Sequence, residues 1–251
     1  MSSPEAHIAC KNVTLAYGDA VVQQRLNFTV NHGDVFIVMG GSGCGKSTVL
    51  RGLVGLLPPT EGEVYYNGEP FWHAPQRQHE LMKRGFGVMY QQGALWSSLT
   101  LAENVSFPLE EYTRLSARQI RQIVSFKLAL VGLSGFEKHY PHEISGGMRK
   151  RVAVARAMAL DPDILFFDEP SAGLDPISSR RLDELVLELN QKLGTTMVVV
   201  THELESIFAV GNNSVFLDAE THTQIATGDP RALKEQSEHR KIREFLNRGN
   251  L

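Results

Sequence analysis

Apolar and polar positions alternate early in the chain: Ile8 and Cys10, then Val13, Leu15 and Tyr17, and later Leu26, Phe28 and Val30. A period of two places these side chains on one face of a sheet, so the stretch predicts half-buried strands. Residues 31–34, NHGD, read as a turn, and beyond it the pattern changes. VFIVM is apolar on both faces, as expected of a parallel strand covered from both sides. Residues 46–56 then predict a helix, stopped by Pro58-Pro59, and GEVYYNGEP predicts a short hairpin turning at Asn67-Gly68. Between 116 and 133, Ile120, Ile123, Val124, Leu128 and Val131 fall at helical spacing, with Ser116 placed as N-cap. Two more buried strands, DILFFDE and TTMVVVTH, flank a helix that Asp175-Pro176 starts and Gly194 ends. SVFL precedes a turn-like DAETH. From Pro230 onward, Leu233, Ile242, Phe245 and Leu246 among many charges predict an amphipathic terminal helix. Strands alternating with helices predict an α/β fold with a mainly parallel sheet, an antiparallel β portion at the start and a helical lobe inserted at about 100–150.

Composition narrows the class. With 251 residues and 42% hydrophobic content, the chain can bury a sizeable core in one large domain or two lobes. A net charge of −3 gives no general attraction to nucleic acid or to an anionic membrane surface. Two cysteines, Cys10 and Cys44, make no disulfide framework and suit a reducing compartment. MSSPEAHIACKN lacks the basic start and apolar core of a secretory signal, and the apolar runs are far too short to span a bilayer. A membrane role is therefore expected only through a partner. His73 and His79, in FWHAPQRQHE, lack supporting cysteines or tight spacing and read as solvated loop residues rather than metal ligands.

The chemistry concentrates at strand ends. GGSGCGKST fits G-x-x-x-x-G-K-[ST] from Gly40 to Ser47, between a buried strand and a helix. Gly40, Gly41, Ser42, Gly43, Cys44, Gly45 and Thr48 would bring backbone N–H groups around a phosphate. Lys46 offers a cation to the outer phosphates, and the Ser47 hydroxyl suits Mg²⁺. Cys44 reads as a small filler, with an alkylatable thiol near a helix N-terminus as the alternative. ILFFDE delivers Asp168 and Glu169 to the carboxyl end of a strand, where α/β sheets place ligands. Asp168 would hold Mg²⁺ through water, and Glu169 could polarise an attacking water. His202, at the end of MVVVTH, is placed to partner Glu169. ISGGMRKR, at 144–151, is a second glycine-rich helix start that the phosphate loop leaves unexplained.

Together these motifs resemble the ATP-binding subunit of ABC transporters over nearly the whole chain. The resemblance implies one ABC-type P-loop ATPase domain over 7–251. Its catalytic α/β and β lobes would cover about 7–99 and 151–228, its helical lobe about 100–150, and a C-terminal helical tail about 229–251. It implies that Tyr17 in LAYGD stacks on adenine and that Gln91 in MYQQGALW links the Mg²⁺ site to the membrane partner. Ser145, Gly146 and Gly147 of ISGGM match the signature segment, Asp175 closes the loop facing the second subunit, and His202 matches the switch histidine. Family members pair head to tail, so each ATP would lie between Lys46 of one copy and Ser145 and Gly147 of the other. Hydrolysis would then loosen the pair. Met148 stands where the family carries glutamine, and it cannot supply that residue's hydrogen bonds.

SGGM, QGALW and FPLEEYTRLS further resemble the ATPases of MCE (mammalian-cell-entry) lipid transporters of the Mla type. That likeness implies a peripheral protein on the cytoplasmic face of an inner membrane, working as two copies with permease subunits, an MCE lipid-binding protein and a small regulatory subunit. Nucleic acid is not expected as a partner. A permease helix would enter a groove near 91–107, with Leu95, Trp96, Leu99 and Leu101 as candidate lining and core packing as the alternative. The tail from Pro230 would cap its own domain, or else reach a partner. Other readings stay open: a lipoprotein-releasing or hydrophobic-compound exporter, a soluble ABC ATPase acting on nucleic acid or ribosomes, and a nucleotide sensor without turnover.

Overall fold

The computed structural model describes residues 6–247. The chain opens with β1 (Ala6–Tyr17), β2 (Ala20–Asn31) and β3 (Val35–Gly40), followed by α1 (Lys46–Leu53). Next come β4 (Glu61–Tyr66), β5 (Glu69–Pro70), α2 (Gln76–Arg84) and β6 (Phe86–Met89). The middle holds α3 (Leu101–Tyr112), α4 (Ala117–Leu130), a short 3₁₀ turn at Pro141–Glu143 and α5 (Gly146–Ala157). Then follow β7 (Ile164–Asp168), α6 (Pro176–Leu193), β8 (Thr196–Val200), α7 (Leu204–Val210), β9 (Asn213–Asp218) and β10 (Thr223–Thr227). The described chain ends in α8 (Pro230–Gln236) and α9 (Arg240–Leu246).

Two sheets form. An antiparallel sheet runs β2-β1-β4-β5, and a larger one runs β10-β9-β3-β8-β7-β6. In the larger sheet β9, β3, β8, β7 and β6 are mutually parallel, and only β10 is antiparallel. All six residues of β3 are buried, as an apolar run on both faces requires. Its alternation divides them between two interiors. Phe36 and Val38 join the core under the antiparallel sheet and α1, whereas Val35, Ile37 and Met39 join the core formed with the helices. β7 and β8 divide the same way: Phe166 and Val198 point to one side, Phe167 and Val199 to the other.

Local chemistry sets the element ends. Ser116 and Gln119 form a reciprocal capping box at α4. Asp175 caps α6 with Pro176 in the first turn, and Gly194, at φ 67°, ends it in the left-handed region. Asn67 and Gly68, at φ 50° and 81°, make the tight turn between β4 and β5.

Elsewhere the expectations need correction. α1 stops at Leu53 rather than Leu56, because Gly55 turns the backbone at φ 84° with the Phe71 ring closing over it. The region of His79 is a helix, α2, which buries no residue fully and so shows no apolar stripe in the sequence. His79 is not a solvated loop residue: its ring lies 4.2 Å from that of Phe71. His73 is exposed, but its Nδ1 is 2.5 Å from Glu63. The tail is two short helices, not one, broken between Gln236 and Arg240. α9 buries Ile242, Phe245 and Leu246 in the core of its own chain, with the Phe245 ring edge-on to Phe216 at 5.2 Å.

Candidate active site

The site forms where β3, β7 and β8 reach their carboxyl ends. Leaving β3, the chain takes positive φ at Gly40, Gly43 and Gly45, which a side chain would oppose. At Gly40 a Cβ would stand 2.4 Å from the Leu217 carbonyl oxygen, and at Gly45 it would stand 2.6 Å from Val22. The loop is held from behind by Gln23, which is fully buried and donates from Nε2 to the carbonyls of Cys44 (2.8 Å) and Asp218 (3.2 Å). α1 then begins with Gly45 at its N-cap, no capping side chain and no acidic residue in its first turn. Its leading N–H groups and positive dipole end are thus left to an anion. Lys46 Nζ folds back onto the loop, donating to the Gly40 and Gly41 carbonyls at 3.1 Å each. A phosphate chain would compete for that ammonium on favourable terms, since charge-assisted hydrogen bonds are the stronger kind.

Ser47 Oγ donates to Asp168 Oδ1 at 3.0 Å, so a hydroxyl and a carboxylate from two elements already converge. Hard oxygen donors in that arrangement suit Mg²⁺. Glu169 sits at φ 48° with its N–H bonded to the Val200 carbonyl at 2.8 Å, which turns the chain sharply off β7. Its two carboxylate oxygens lie 2.8 and 2.9 Å from His202 Nδ1. A cleft of about 410 Å³ gathers Ser42, Gly43, Gly45, Lys46, Ser47 and Thr48 with Gln91, Glu169 and His202. Cys44 is 1% exposed with its thiol pKa raised by burial, which favours the filler over the reactive thiol.

The remaining expected residues lie outside that cleft. Ser145 is exposed and caps α5, its Oγ accepting from the Met148 N–H at 3.2 Å. Gly147 faces Ser178, where a Cβ would approach to 3.2 Å, and Gly146 lies near Leu174. Asp175 accepts from the Ile177 and Ser178 N–H groups; the Ser178 hydroxyl first, then these N–H groups, hold its carboxyl below the usual range. Ser145, Gly146, Gly147 and Asp175 therefore cluster where α5 and α6 begin. Tyr17 is 45% exposed, and its hydroxyl accepts from Arg51 Nη1 at 2.8 Å. Of the proposed groove residues, Leu101 is core with no exposure, Leu95 packs on that core, and Leu99 is half-buried. Trp96 stands 54% exposed beside Phe107.

Sequence reasoning missed Gln23, Arg51 and Lys150. Lys150 Nζ donates to the Gln91 carbonyl and lies 3.5 Å from that of Glu169. Burial lowers its pKa, opposed by the charges of Glu203, Glu169 and Asp168. A signal for it exists: Lys150 precedes Ala153, Val154 and Ala157 at helical spacing, a cation on an apolar stripe.

A glycine loop at the end of a buried strand, an open helix start and a serine–aspartate pair define a P-loop nucleotide-binding fold. The family profile described as ABC transporter matches residues 23–172, and the chain belongs to that family. It is 38% identical over 239 residues to the intermembrane phospholipid transport system ATP-binding protein MlaF of Haemophilus influenzae, covering 95% of this chain and 89% of that one. It is equally, 38%, identical over 240 residues to a probable ribonucleotide transport ATP-binding protein, mkl, of Mycobacterium tuberculosis. That match takes in 96% of this chain, which spans 66% of the mycobacterial protein's length. Among solved structures, the ATP-binding cassette MJ0796, as a dimer in a post-hydrolysis state with ADP and phosphate, superposes with a TM-score of 0.79. It is 32% identical, and the superposition covers 88% of this chain and 98% of that one.

Proposed function

We propose that this chain is the ATP-hydrolysing subunit of a membrane transport system moving phospholipid between membranes, acting as two copies that close head to tail on two Mg·ATP. The observation that carries this is the convergence of Lys46, Ser47, Gln91, Glu169 and His202 on one cleft. In that reading the first-turn amides of α1 and Lys46 bind the β- and γ-phosphates, and Tyr17 stacks on the base. Ser47, Gln91 and Asp168 supply the metal's oxygen ligands. Bound magnesium would neutralise charge on the phosphoryl oxygens. Glu169 would take the proton of an in-line water as its oxygen bonds to the γ-phosphorus and the bond to the β–γ bridging oxygen breaks, with ADP leaving; His202, which fixes the carboxylate through Nδ1, would reach the transferred γ-phosphoryl group. Ser145, which is exposed, and the half-buried Gly146 and Gly147 lie away from their own cleft and would meet the γ-phosphate held by the other copy, with Asp175 beside them at the seam. The helical lobe at about 100–150 presents that segment, and the tail expected at about 229–251 packs on its own domain through α8 and α9, its residues 248–251 lying outside the described residues.

Among the described residues no helix is long and apolar enough to cross a membrane, so anchoring would fall to permease subunits at the cytoplasmic face. A groove of about 500 Å³, lined by Phe86, Val88, Pro108 and Leu160 together with the charged Glu80, Lys83, Arg84 and Arg156, offers a short amphipathic permease helix a seat, although Leu95, Trp96, Leu99 and Leu101 do not line it. An MCE lipid-binding protein and a small regulatory subunit complete the assembly. The Haemophilus relative's name and its 89% coverage favour phospholipid as the cargo; the mycobacterial relative's name makes ribonucleotide the second reading.

The test is turnover of the chain purified with its permease in phospholipid vesicles. Lys46→Ala abolishes hydrolysis through lost nucleotide binding. Glu169→Gln binds ATP, accumulates as a closed dimer and turns over about 10²–10⁴-fold more slowly, the range for a lost general base. Brisk hydrolysis by Glu169→Gln refutes the catalytic assignment. ATPase activity indifferent to phospholipid but stimulated by ribonucleotide refutes the cargo.

A further inference from the structure

The loop that carries Gln91 lies along one face of α5. Lys150, Ala153 and Arg156, three residues apart, all touch it. Lys150 Nζ donates to the Gln91 carbonyl. Gly93 lies against Ala153, so closely that a Cβ there would stand 3.3 Å from that of Ala153. Arg156 donates from Nη1 to the Ala94 carbonyl at 2.5 Å and from Nη2 to the Gly93 carbonyl at 3.0 Å. Ala94 itself sits at φ 48°, a strained conformation for a residue with a side chain, and its carbonyl is among those Arg156 holds. The same Lys150 ammonium lies 3.5 Å from the Glu169 carbonyl. Both its acceptors are main-chain groups, and the residue is 8% exposed.

The ammonium's hydrogen bonds go to main-chain carbonyls, with the carboxylates of Glu203, Glu169 and Asp168 supporting its charge from further away. A neutral side chain of similar length would fill the same space without burying a charge, so the charge points to a use beyond packing. Lys150 lies five residues beyond Ser145, the N-cap of α5, about 7 Å along the helix axis. One side chain thus ties three things together: the loop of Gln91, the backbone of Glu169 and the first turns of the segment that ends at Ser145.

We propose that Lys150 is a positioning residue that couples the two halves of the composite site. Gln91 and Glu169 belong to this chain's own cleft, whereas Ser145 and Gly147 face the nucleotide of the other copy. Through Lys150, a shift of the Gln91 loop on nucleotide binding carries the start of α5 with it. Arg156 serves as the second tether, six residues or about 1.7 turns further on. The proposal rests on the ATPase reading above.

The experiment compares Lys150→Met, which keeps length and removes charge, with Lys150→Arg, which keeps charge. Both are made in the full chain purified with its permease. The readouts are kcat and KM for ATP, and amide hydrogen exchange at 40–48, 91–94 and 145–149 with and without ATP in EDTA. Lys150→Met is expected to lose about 10²-fold in kcat, the scale of a displaced catalytic group, with KM unchanged. ATP still protects 40–48 in that variant but no longer changes exchange at 145–149. Lys150→Arg recovers both properties. A Lys150→Met enzyme with unaltered kcat and intact ATP-dependent protection at 145–149 overturns the proposal. So does a loss that arginine fails to rescue, which marks packing alone. Absence of ATP protection at 40–48 in the unsubstituted chain is a different failure: it removes the ATPase reading and this proposal with it.

Discussion

Asp183, on α6, is 8% exposed and accepts from Ser206 Oγ, on α7, at 2.9 Å. Burial pushes its carboxyl up from 3.8 to about 6, and the nearby charges of Glu203, Glu205 and Glu184 add to the rise. The folded state therefore binds this proton more tightly than the unfolded chain does. This group's contribution to stability is greatest below pH 4, falls as the pH rises from there through about 6, and stays lowered above it. A displacement from 3.8 to about 6 corresponds to on the order of 3 kcal/mol above both values. An asparagine at this position would keep an acceptor for Ser206 without the charge, so Asp183→Asn should gain on the order of 1–3 kcal/mol at pH 7.5 and almost nothing near pH 4. Urea denaturation at a series of pH values reads this directly: the two proteins' midpoints should diverge as pH increases. Parallel midpoints across that range, or a less stable variant at pH 7.5, refute the reasoning.

Two further outcomes follow from burial. Phe245→Ala, which removes a ring 3% exposed and edge-on to Phe216, should lower stability by about 3–5 kcal/mol in thermal or urea melts. A near-neutral effect would mean that the tail does not dock on its own chain. Cys10 and Cys44 are both buried with raised thiol pKa values, so N-ethylmaleimide should leave the native protein unmodified by mass spectrometry and add twice after denaturation. Rapid native labelling at Cys44 would restore the reactive-thiol alternative.

What the sequence disclosed was what a period or a cap could encode. The division of β3 between two cores, the Ser116 cap and the Asp175-to-Gly194 span of α6 follow from alternation, capping chemistry and turn residues. α2 escaped because it has no fully buried residue, and β10 because its residues are only half-covered. The break between α8 and α9 escaped because apolar spacing alone cannot tell one helix from two that share a core. Motifs placed Lys46 at a helix start after a buried strand, and Asp168, Glu169 and His202 at strand ends. Gln23 and Lys150, which act through carbonyls distant in sequence, carry no motif; only a polar residue on an otherwise apolar face gives them away.

The split of each central strand between two interiors has a consequence for how this scaffold can vary. Deleting one residue from β7 would exchange the roles of Phe166 and Phe167 and swing the Asp168 carboxylate away from Ser47. Insertions and deletions are therefore tolerated only in the connecting loops, where no parity is kept.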